Sequence, residues 1–239
     1  RYNDLEPHAA VIVASARALK SHGGVPRREL ENPNPQAVSD GMPNLRHLIS
    51  AIKSFGLPVV VAINRFSSDT QEELSVMKSE SESAGANAAV ESDVFENGGN
   101  GAVDLAKAVV EASEGNAPSI KYMYEKEDNL EDKIKSLATK MYNASDVAYT
   151  PAARRILRQY ESNGWGHMPI CMAKTHLSLS HNRSLRGLPE NYTFRVSDVR
   201  VSRGAGFVYP IAGNIMTMPG LPSSPRELDV DAKGNILGL

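Results

Sequence analysis

The segment Pro58-Val-Val-Val-Ala-Ile63 decides the fold class of this 239-residue chain. Proline is tolerated at the first position of a strand, and the β-branched run behind it has a high strand propensity. The run is apolar throughout and therefore indicates a buried strand over residues 58–63.

Two further apolar stretches flank this segment and predict the rest of an α/β layer. Residues 9–14 are continuously apolar, which is typical of a strand in a parallel sheet, and residues 88–92 predict a third strand. Helical spacing of apolar residues predicts a helix over residues 44–55, and residues 70–83 predict a polar helix. Strand and helix thus alternate as in a doubly wound α/β layer.

Capping residues and helix breakers set the expected boundaries. Thr70 is a suitable N-cap, with Glu73 as its capping-box partner. Residues 25–41 contain three prolines and Gly41 and are predicted as a loop.

The α/β alternation weakens near residues 81–85, where we expect a domain boundary. Further helices are predicted over residues 102–112, 129–141 and 151–160, and the tail from residue 204 is predicted as short apolar pieces and turns.

Composition gives no support for several classes of partner. The chain has 26 basic and 28 acidic residues, so its formal net charge of -2 gives no argument for nucleic acid or an anionic membrane as partner. Its apolar runs are far shorter than the ~20 residues that span a membrane. Cys171 is the single cysteine, which excludes an intrachain disulfide and favours a reducing compartment. We expect its thiol to be buried among apolar neighbours.

Few local motifs carry chemistry by themselves. Neither G-x-x-x-x-G-K-[ST] nor G-x-G-x-x-G occurs, and the scattered histidines predict no metal site. The turn Gly98-Gly99-Asn100-Gly101 precedes a predicted helix and could offer N–H groups to an anion; the alternative is a tight helix entry. Residues 64–69 form a loop at the carboxyl end of a predicted strand, where open α/β sheets bind ligands.

Five segments resemble the formate–tetrahydrofolate ligase family in order and approximate spacing. The longest is Gly204-Ala-Gly-Phe-Val-Tyr-Pro-Ile-Ala-Gly-Asn-Ile-Met-Thr-Met-Pro-Gly-Leu-Pro222, which is similar to the closing signature of that family. The other four are Ala10-Val-Ile-Val-Ala-Ser-Ala-Arg-Ala-Leu-Lys20 with His22-Gly23-Gly24, Pro58-Val-Val-Val-Ala-Ile-Asn-Arg-Phe66 with Asp69-Thr70, Gly98-Gly99-Asn100-Gly101-Ala102, and Pro169-Ile-Cys-Met-Ala-Lys-Thr175 with Ser180-His181-Asn182. The resemblance covers essentially the whole chain and corresponds to the family's C-terminal half.

The resemblance implies a fold and an activity. Residues 1–80 would be the C-terminal part of a P-loop NTPase-like, doubly wound nucleotide-binding domain, and residues 81–239 a smaller C-terminal α/β domain. The family ligates formate to tetrahydrofolate with ATP, through formyl phosphate, and yields 10-formyltetrahydrofolate. Because its phosphate-binding loop lies in the N-terminal half, we expect this chain to supply the folate side of the site, to need that half and to be inactive alone.

The resemblance also implies cofactors, partners and a compartment. ATP comes with Mg²⁺ in such enzymes, and a monovalent cation often activates this family. Its members are commonly homo-oligomers, and we expect a cytoplasmic or mitochondrial protein. A second hypothesis, from a different class, is a non-catalytic folate-binding or interaction module that lacks the ATP-binding half.

By the resemblance, two aromatic side chains would lie against the two faces of the pterin ring. These are Phe66, behind the valine-rich strand, and Phe95, before the glycine turn. The alternative for Phe66 is a core aromatic at the end of a strand. Asn64 and Asp69 share the loop of Phe66 and would either bind the ligand or shape the turn.

A second group of residues could face an anion. Arg17, Lys20 and His22 follow the first predicted strand and could balance phosphate or carboxylate charge, although a solvated helix start is the alternative. The N–H groups of Gly98 and Gly99 belong to the same expectation. Catalytic residues stay unknown and are expected outside this chain. Lys174, Thr175, His181 and Asn182 are expected to be structural or to lie near an interdomain cleft.

Overall fold

The computed structural model describes residues 5–114, 120–213, 215, 229–232 and 236–237. The strands are β1 (Ala10–Ala14), β2 (Val59–Asn64), β3 (Ala88–Ser92), β4 (Asp146–Tyr149), β5 (Ala173–Lys174), β6 (Thr193–Val196), β7 (Asp198–Ser202), β8 (Phe207–Ala212), β9 (Asp229–Val230) and β10 (Ile236–Leu237). The helices are α1 (Ala16–His22), α2 (Pro35–Lys53), α3 (Gln71–Ser83), α4 (Val94–Asn97), α5 (Val103–Ser113), α6 (Leu130–Lys140) and α7 (Pro151–Ser162), with 3₁₀ segments at Arg27–Glu29 and Gly98–Ala102. The turns expected at residues 216–228 lie outside the described residues.

A parallel three-stranded sheet forms the first layer of the molecule, in the order β1-β2-β3. The central strand β2 is buried from Val59 to Ile63, as its uninterrupted apolar run predicts. One hydrophobic cluster joins the sheet to α1, α2 and α3 and includes Leu19, Met42, Ile49 and Leu74. The prediction of an α/β fold with a parallel sheet is confirmed.

The prediction of a loop over residues 25–41 is wrong in its second half, because α2 begins at Pro35. Proline suits the first position of a helix, where its missing N–H has no partner to lose, and the Asn34 side chain accepts a hydrogen bond from the Ala37 N–H at 2.9 Å. Gly41 permits close packing rather than a turn, since a Cβ there would lie 2.1 Å from the carbonyl oxygen of Leu19 in α1.

A second hydrophobic cluster lies under α6 and α7. It includes Leu130, Ile134, Leu157, Phe194 and Val208. Strand β4 pairs with β6 in parallel, and β8 lies between β5 and β7. Helices α6 and α7 confirm the predictions for residues 129–141 and 151–160 to within two residues.

Cys171 is exposed, so the expectation of a buried thiol is wrong. The backbone N–H of Cys171 bonds to the Val208 carbonyl at 2.9 Å, next to an isolated bridge between Ile170 and Val208. The apolar neighbours therefore pack inward while the thiol faces out. Among the described residues, no helix has both the length and the apolar character needed to cross a membrane.

The first layer continues beyond the boundary expected between residues 80 and 81. Strand β3 pairs with β2 along its whole length, and α5 packs against both strands. The first hydrophobic cluster ends at Ala89 and the second begins at Leu130. We therefore propose that the two units of the chain divide between α5 and α6.

A buried ion pair connects the helices of the first layer. Lys20 Nζ lies 2.9 Å from Glu73 Oε1, and neither side chain has exposed surface. Lys20 also donates to the carbonyl of Asn32 at 3.0 Å. The Glu73 carboxylate accepts hydrogen bonds from the backbone N–H groups of Asn34 and Thr70, at 2.8 and 2.9 Å. The pair thus joins the end of α1, the start of α2 and the predicted capping box of α3, which is present.

The surroundings of Glu73 favour its charged form. Burial alone raises the pKa of this carboxyl, but the N–H groups of Thr70 and Asn34 and the ammonium group of Lys20 act in the opposite direction and lower the pKa below its usual value. The carboxylate is therefore ionised at neutral pH, and its stabilising contacts depend on that charge.

We predict that Lys20→Met destabilises the fold strongly, because it leaves a buried carboxylate without its cation. Removal of one partner of a buried pair costs about 3–5 kcal/mol of unfolding free energy. Urea denaturation checks this value. The matched control is Arg46→Met, which breaks an exposed contact of 3.8 Å with Glu80 and should cost at most about 1 kcal/mol. Equal losses in the two variants would contradict the role of the buried pair.

We also predict an acid dependence of stability that arises at Glu73. Its folded-state pKa lies below the usual 4.5, so its contribution is complete above pH 4.5 and is lost as the pH falls through the folded-state value. The difference in unfolding free energy between the wild type and Glu73→Gln should therefore be constant near neutrality and shrink below pH 4.5. A difference that grows in acid would refute the assignment.

Candidate functional site

The carboxyl edge of the first sheet brings together two loops that the sequence singled out. Strands β2 and β3 end side by side, with Asn64 opposite Ser92. Beyond this pair, the Arg65 N–H donates to the Ser92 carbonyl at 3.0 Å. Phe66 and Phe95 each follow one of these strands, so both lie at the edge where open α/β sheets bind ligands.

The loop behind β2 presents Phe66 to solvent. The Phe66 N–H donates to Asp69 Oδ2 at 2.9 Å, and the Asp69 N–H donates to the Phe66 carbonyl at 3.0 Å. Phe66 is 43% exposed and lies outside the hydrophobic cluster of its layer. This exposure does not fit the alternative that Phe66 is a core aromatic at the end of a strand. Asp69 shapes the turn, and Asn64 is half-buried at the end of the strand.

The loop behind β3 exposes Phe95 almost completely. Phe95 lies on the short helix α4 and is 96% exposed. The loop is closed at its base, where the Asp93 N–H donates to the Gly101 carbonyl at 3.2 Å and the Asn97 amide donates to Asp93 Oδ2 at 2.7 Å. Gly101 is required there, because a Cβ would lie 2.1 Å from Asp93 Oδ1 and 2.8 Å from the Asp93 backbone.

The glycine turn lies in open space beside Phe95. Gly98 has a φ of 56°, a backbone conformation that residues with a Cβ rarely adopt. A Cβ atom added at Gly98 or at Gly99 would meet no other atom within 4 Å. Their N–H groups belong to a 3₁₀ segment that leads into α5. Anion binding at this turn stays a prediction beside the alternative of a helix entry.

The structure does not bring the three basic residues behind β1 together as one anion site. Arg17 is exposed and pairs with Glu31. Lys20 is buried against Glu73 and has no surface to offer an anion. His22 faces the second unit of the chain instead, where its Nδ1 lies 3.1 Å from the Gly187 N–H.

The sequence reasoning missed a charged pair at the carboxyl edge. Glu91, on β3, lies 3.5 Å from the guanidinium of Arg65 and 3.5 Å from the Gln71 amide. A carboxylate within an otherwise small and apolar strand was the available signal. The pair adds two opposite charges to the edge where β2 and β3 end.

Two surface depressions lie in the described part of the chain. A depression of about 620 Å³ follows α5 from Gly99 to Glu114, and another of about 410 Å³ lies beside the turn after α1. Neither is lined by Phe66 or Phe95. In the residues that the structure describes, no three His, Cys, Asp or Glu side chains cluster so as to hold a metal ion. The candidate site is therefore an open edge with two exposed rings.

Comparison with known proteins places the chain in a family. The sequence model of the formate–tetrahydrofolate ligase family matches residues 1–239. A formate–tetrahydrofolate ligase of Roseiflexus castenholzii is 47% identical over 252 residues, which cover 100% of this chain and 44% of the relative. Those of Desulforamulus reducens and Thermotoga maritima are 44% and 46% identical with the same coverage. The chain thus spans 44% of the length of these relatives, and it belongs to the formate–tetrahydrofolate ligase family.

Proposed function

We propose that this chain supplies the folate side of the active site of an ATP-dependent formate–tetrahydrofolate ligase. One observation carries the proposal: Phe66 and Phe95 are exposed on neighbouring loops at the carboxyl edge of a parallel sheet. A flat pterin between two aromatic faces buries apolar area, and each stacked contact adds ~0.5–1.5 kcal/mol beyond burial. Family membership supports tetrahydrofolate as the flat ligand.

The polar groups of the edge have distinct roles in this proposal. Asn64 ends β2 between the two loops, and its amide both donates and accepts hydrogen bonds, as the polar edge of a pterin requires. Asp69 binds the backbone of Phe66 and so positions the ring rather than the ligand. Binding by Asn64 then orients the pterin, while the two rings supply most of the affinity.

The proposed reaction joins formate to nitrogen 10 of tetrahydrofolate. ATP transfers its γ-phosphoryl group to formate, which gives formyl phosphate and releases ADP. The nitrogen then attacks the formyl carbon, the carbon–nitrogen bond forms, phosphate leaves with the electrons of the broken carbon–oxygen bond, and the nitrogen gives up its proton to phosphate or water. The sequence contains no phosphate-binding loop, so we propose that the N-terminal half of the family's chain supplies it, together with Mg²⁺-bound ATP. Monovalent-cation activation, homo-oligomerisation and a cytoplasmic or mitochondrial location are further proposals from the family.

A non-catalytic folate-binding or interaction module is the alternative. The absence of a phosphate-binding loop from the 239 residues favours it over autonomous catalysis. Folate-dependent hydrolysis of ATP separates the two functions. Hydrolysis by the protein only together with the N-terminal half would support the shared site, whereas no hydrolysis in either case would favour the module.

We predict that Phe66→Ala weakens tetrahydrofolate binding at least tenfold, about 1.4 kcal/mol, because it removes one face of the stack. Isothermal titration calorimetry of the purified protein measures this affinity. Binding of ATP should be unchanged wherever it is detectable. The matched control is Phe207→Ala, which removes a half-buried ring from the β7–β8 hairpin and should leave folate affinity unchanged. Equal effects of the two substitutions would count against stacking on Phe66.

We predict that Gly101→Ala also weakens tetrahydrofolate binding, by displacing the loop that carries Phe95. Its Cβ would overlap the Asp93 backbone, which cannot move without opening the base of the loop. Overpacking of this kind costs typically about 1–3 kcal/mol of stability. Gly99→Ala is the matched control, since a Cβ there meets nothing within 4 Å. Calorimetric affinity and the thermal midpoint check both variants; a neutral Gly101→Ala would show that the loop base does not position Phe95.

A further inference from the structure

A turn of the second unit is bound to the first layer beside the end of α1. The Gly187 N–H donates to His22 Nδ1 at 3.1 Å, and the Asn44 side chain donates to the Gly187 carbonyl at 2.9 Å. These two hydrogen bonds fix the backbone of the turn from both sides. Arg186 is the preceding residue, and its exposed guanidinium donates to the Leu177 carbonyl at 2.8 Å, one residue before the Ser178 carbonyl that accepts from Lys174.

The hydrogen bond from Gly187 determines the tautomer of His22. Because Nδ1 accepts a hydrogen bond, the proton of the neutral ring resides on Nε2. Burial, and then the charges of Arg186 and Lys174, lower the pKa of His22 below its usual value, so the ring is neutral at pH 7. Within the described part of the chain, the Nε2–H has no hydrogen-bond partner and remains available as a donor.

Lys174 adds a positive charge to this corner at neutral pH. Its ammonium group donates to the carbonyls of Thr175 and Ser178, at 2.8 and 2.5 Å, and lies 5.0 Å from the centre of the Tyr142 ring. Burial lowers the pKa of Lys174 to about 8, so the group is still mostly protonated at pH 7. Since two of its three N–H donors bind these carbonyls, Lys174 acts here mainly through its charge.

The positive charge of this corner has no counter-charge. Among the residues that the structure describes, no carboxylate lies within ion-pairing distance of His22, Lys174 or Arg186, although ion pairs occur elsewhere on the surface. A half-buried cation without a partner is unfavourable, and each of these groups disfavours a further positive charge beside it. An anion between them would relieve that repulsion.

We propose that His22, Lys174 and Arg186 form a binding site for a phosphate group. Arg186 donates to the phosphate oxygens from its planar guanidinium, His22 donates from Nε2, and Lys174 balances the charge without direct contact. A phosphate with about two negative charges matches the two cations, whereas a carboxylate leaves one of them uncompensated. The site does not involve the aromatic edge and goes beyond the proposed folate-binding function. The phosphate has two sources, free orthophosphate or the phosphate chain of a nucleotide.

The test is an NMR titration of the purified protein with selectively labelled histidine, in which orthophosphate, ATP and acetate are added separately at constant ionic strength. We expect a saturable shift of the His22 imidazole signals with orthophosphate, with ATP or with both, and no saturable shift with acetate. Arg186→Gln should weaken binding at least tenfold. Among the described residues, the Arg186 side chain hydrogen-bonds only to the Leu177 carbonyl, so the thermal midpoint of Arg186→Gln should stay within a few degrees of the wild type. Arg158→Gln removes an exposed arginine of α7 and is the control for overall charge.

The outcomes decide whether the phosphate site exists and whether its ligand is free phosphate or a nucleotide. Saturation by orthophosphate alone, lost in Arg186→Gln but not in Arg158→Gln, assigns free phosphate. Saturation at a lower concentration of ATP than of orthophosphate, again lost in Arg186→Gln but not in Arg158→Gln, assigns the phosphate chain of a nucleotide as the ligand. No shift with either phosphate compound, equal shifts with acetate, or equal losses in both arginine variants would overturn the proposal. Phe66→Ala should leave the phosphate titration unchanged, so failure of the folate proposal and failure of this one are separable.

Discussion

The buried ion pair between Lys20 and Glu73 is the interaction on which the rest of the first layer depends. Its two charges are removed from water, and each is compensated by the other and by backbone groups at 2.8–3.0 Å. Such a pair is stabilising only when its hydrogen bonds are complete, so it fixes the segments that supply them. Through Thr70 it sets the end of the loop that carries Phe66, and through Lys20 it sets the helix that ends at His22.

Parallel pairing then places the two aromatic loops. Because β2 and β3 run in the same direction, their carboxyl ends meet at one edge, and whatever follows each strand lies side by side. Hydrogen bonds between Asp69 and Phe66 and between Asp93 and Gly101 shape the two loops locally. The exposure of Phe66 and Phe95 is thus a consequence of backbone geometry, which holds two apolar rings in solvent where a flat ligand can cover them.

The sequence predicted the parts of this structure that depend on local patterns. The apolar, β-branched runs predicted β1, β2 and β3, and Thr70 with Glu73 predicted the start of α3. The start of α2 was missed because Pro35 is a helix breaker in most contexts and a good first residue in this one. The pairing of β3 with β2 across the boundary expected at residues 80 and 81 is a long-range contact that leaves no local signal. The position of the domain boundary therefore stays a prediction.

The site was predictable only in part, for the same reason. Lys20 looked like a surface residue at a helix end, and nothing near it in sequence indicated the carboxylate of Glu73. His22 and Arg186 come from distant segments, so their proximity could not be inferred. Phe66 and Phe95 were identified by resemblance, since an aromatic residue behind a strand has no pattern that separates a ligand contact from a core position.

The most direct test of the central claim is a crystal structure of the protein with bound tetrahydrofolate. The account predicts the pterin at the carboxyl edge of the first sheet, with the rings of Phe66 and Phe95 against its two faces and the Asn64 amide at its polar edge. A pterin bound elsewhere, with both phenylalanine rings still exposed to solvent, would contradict the account.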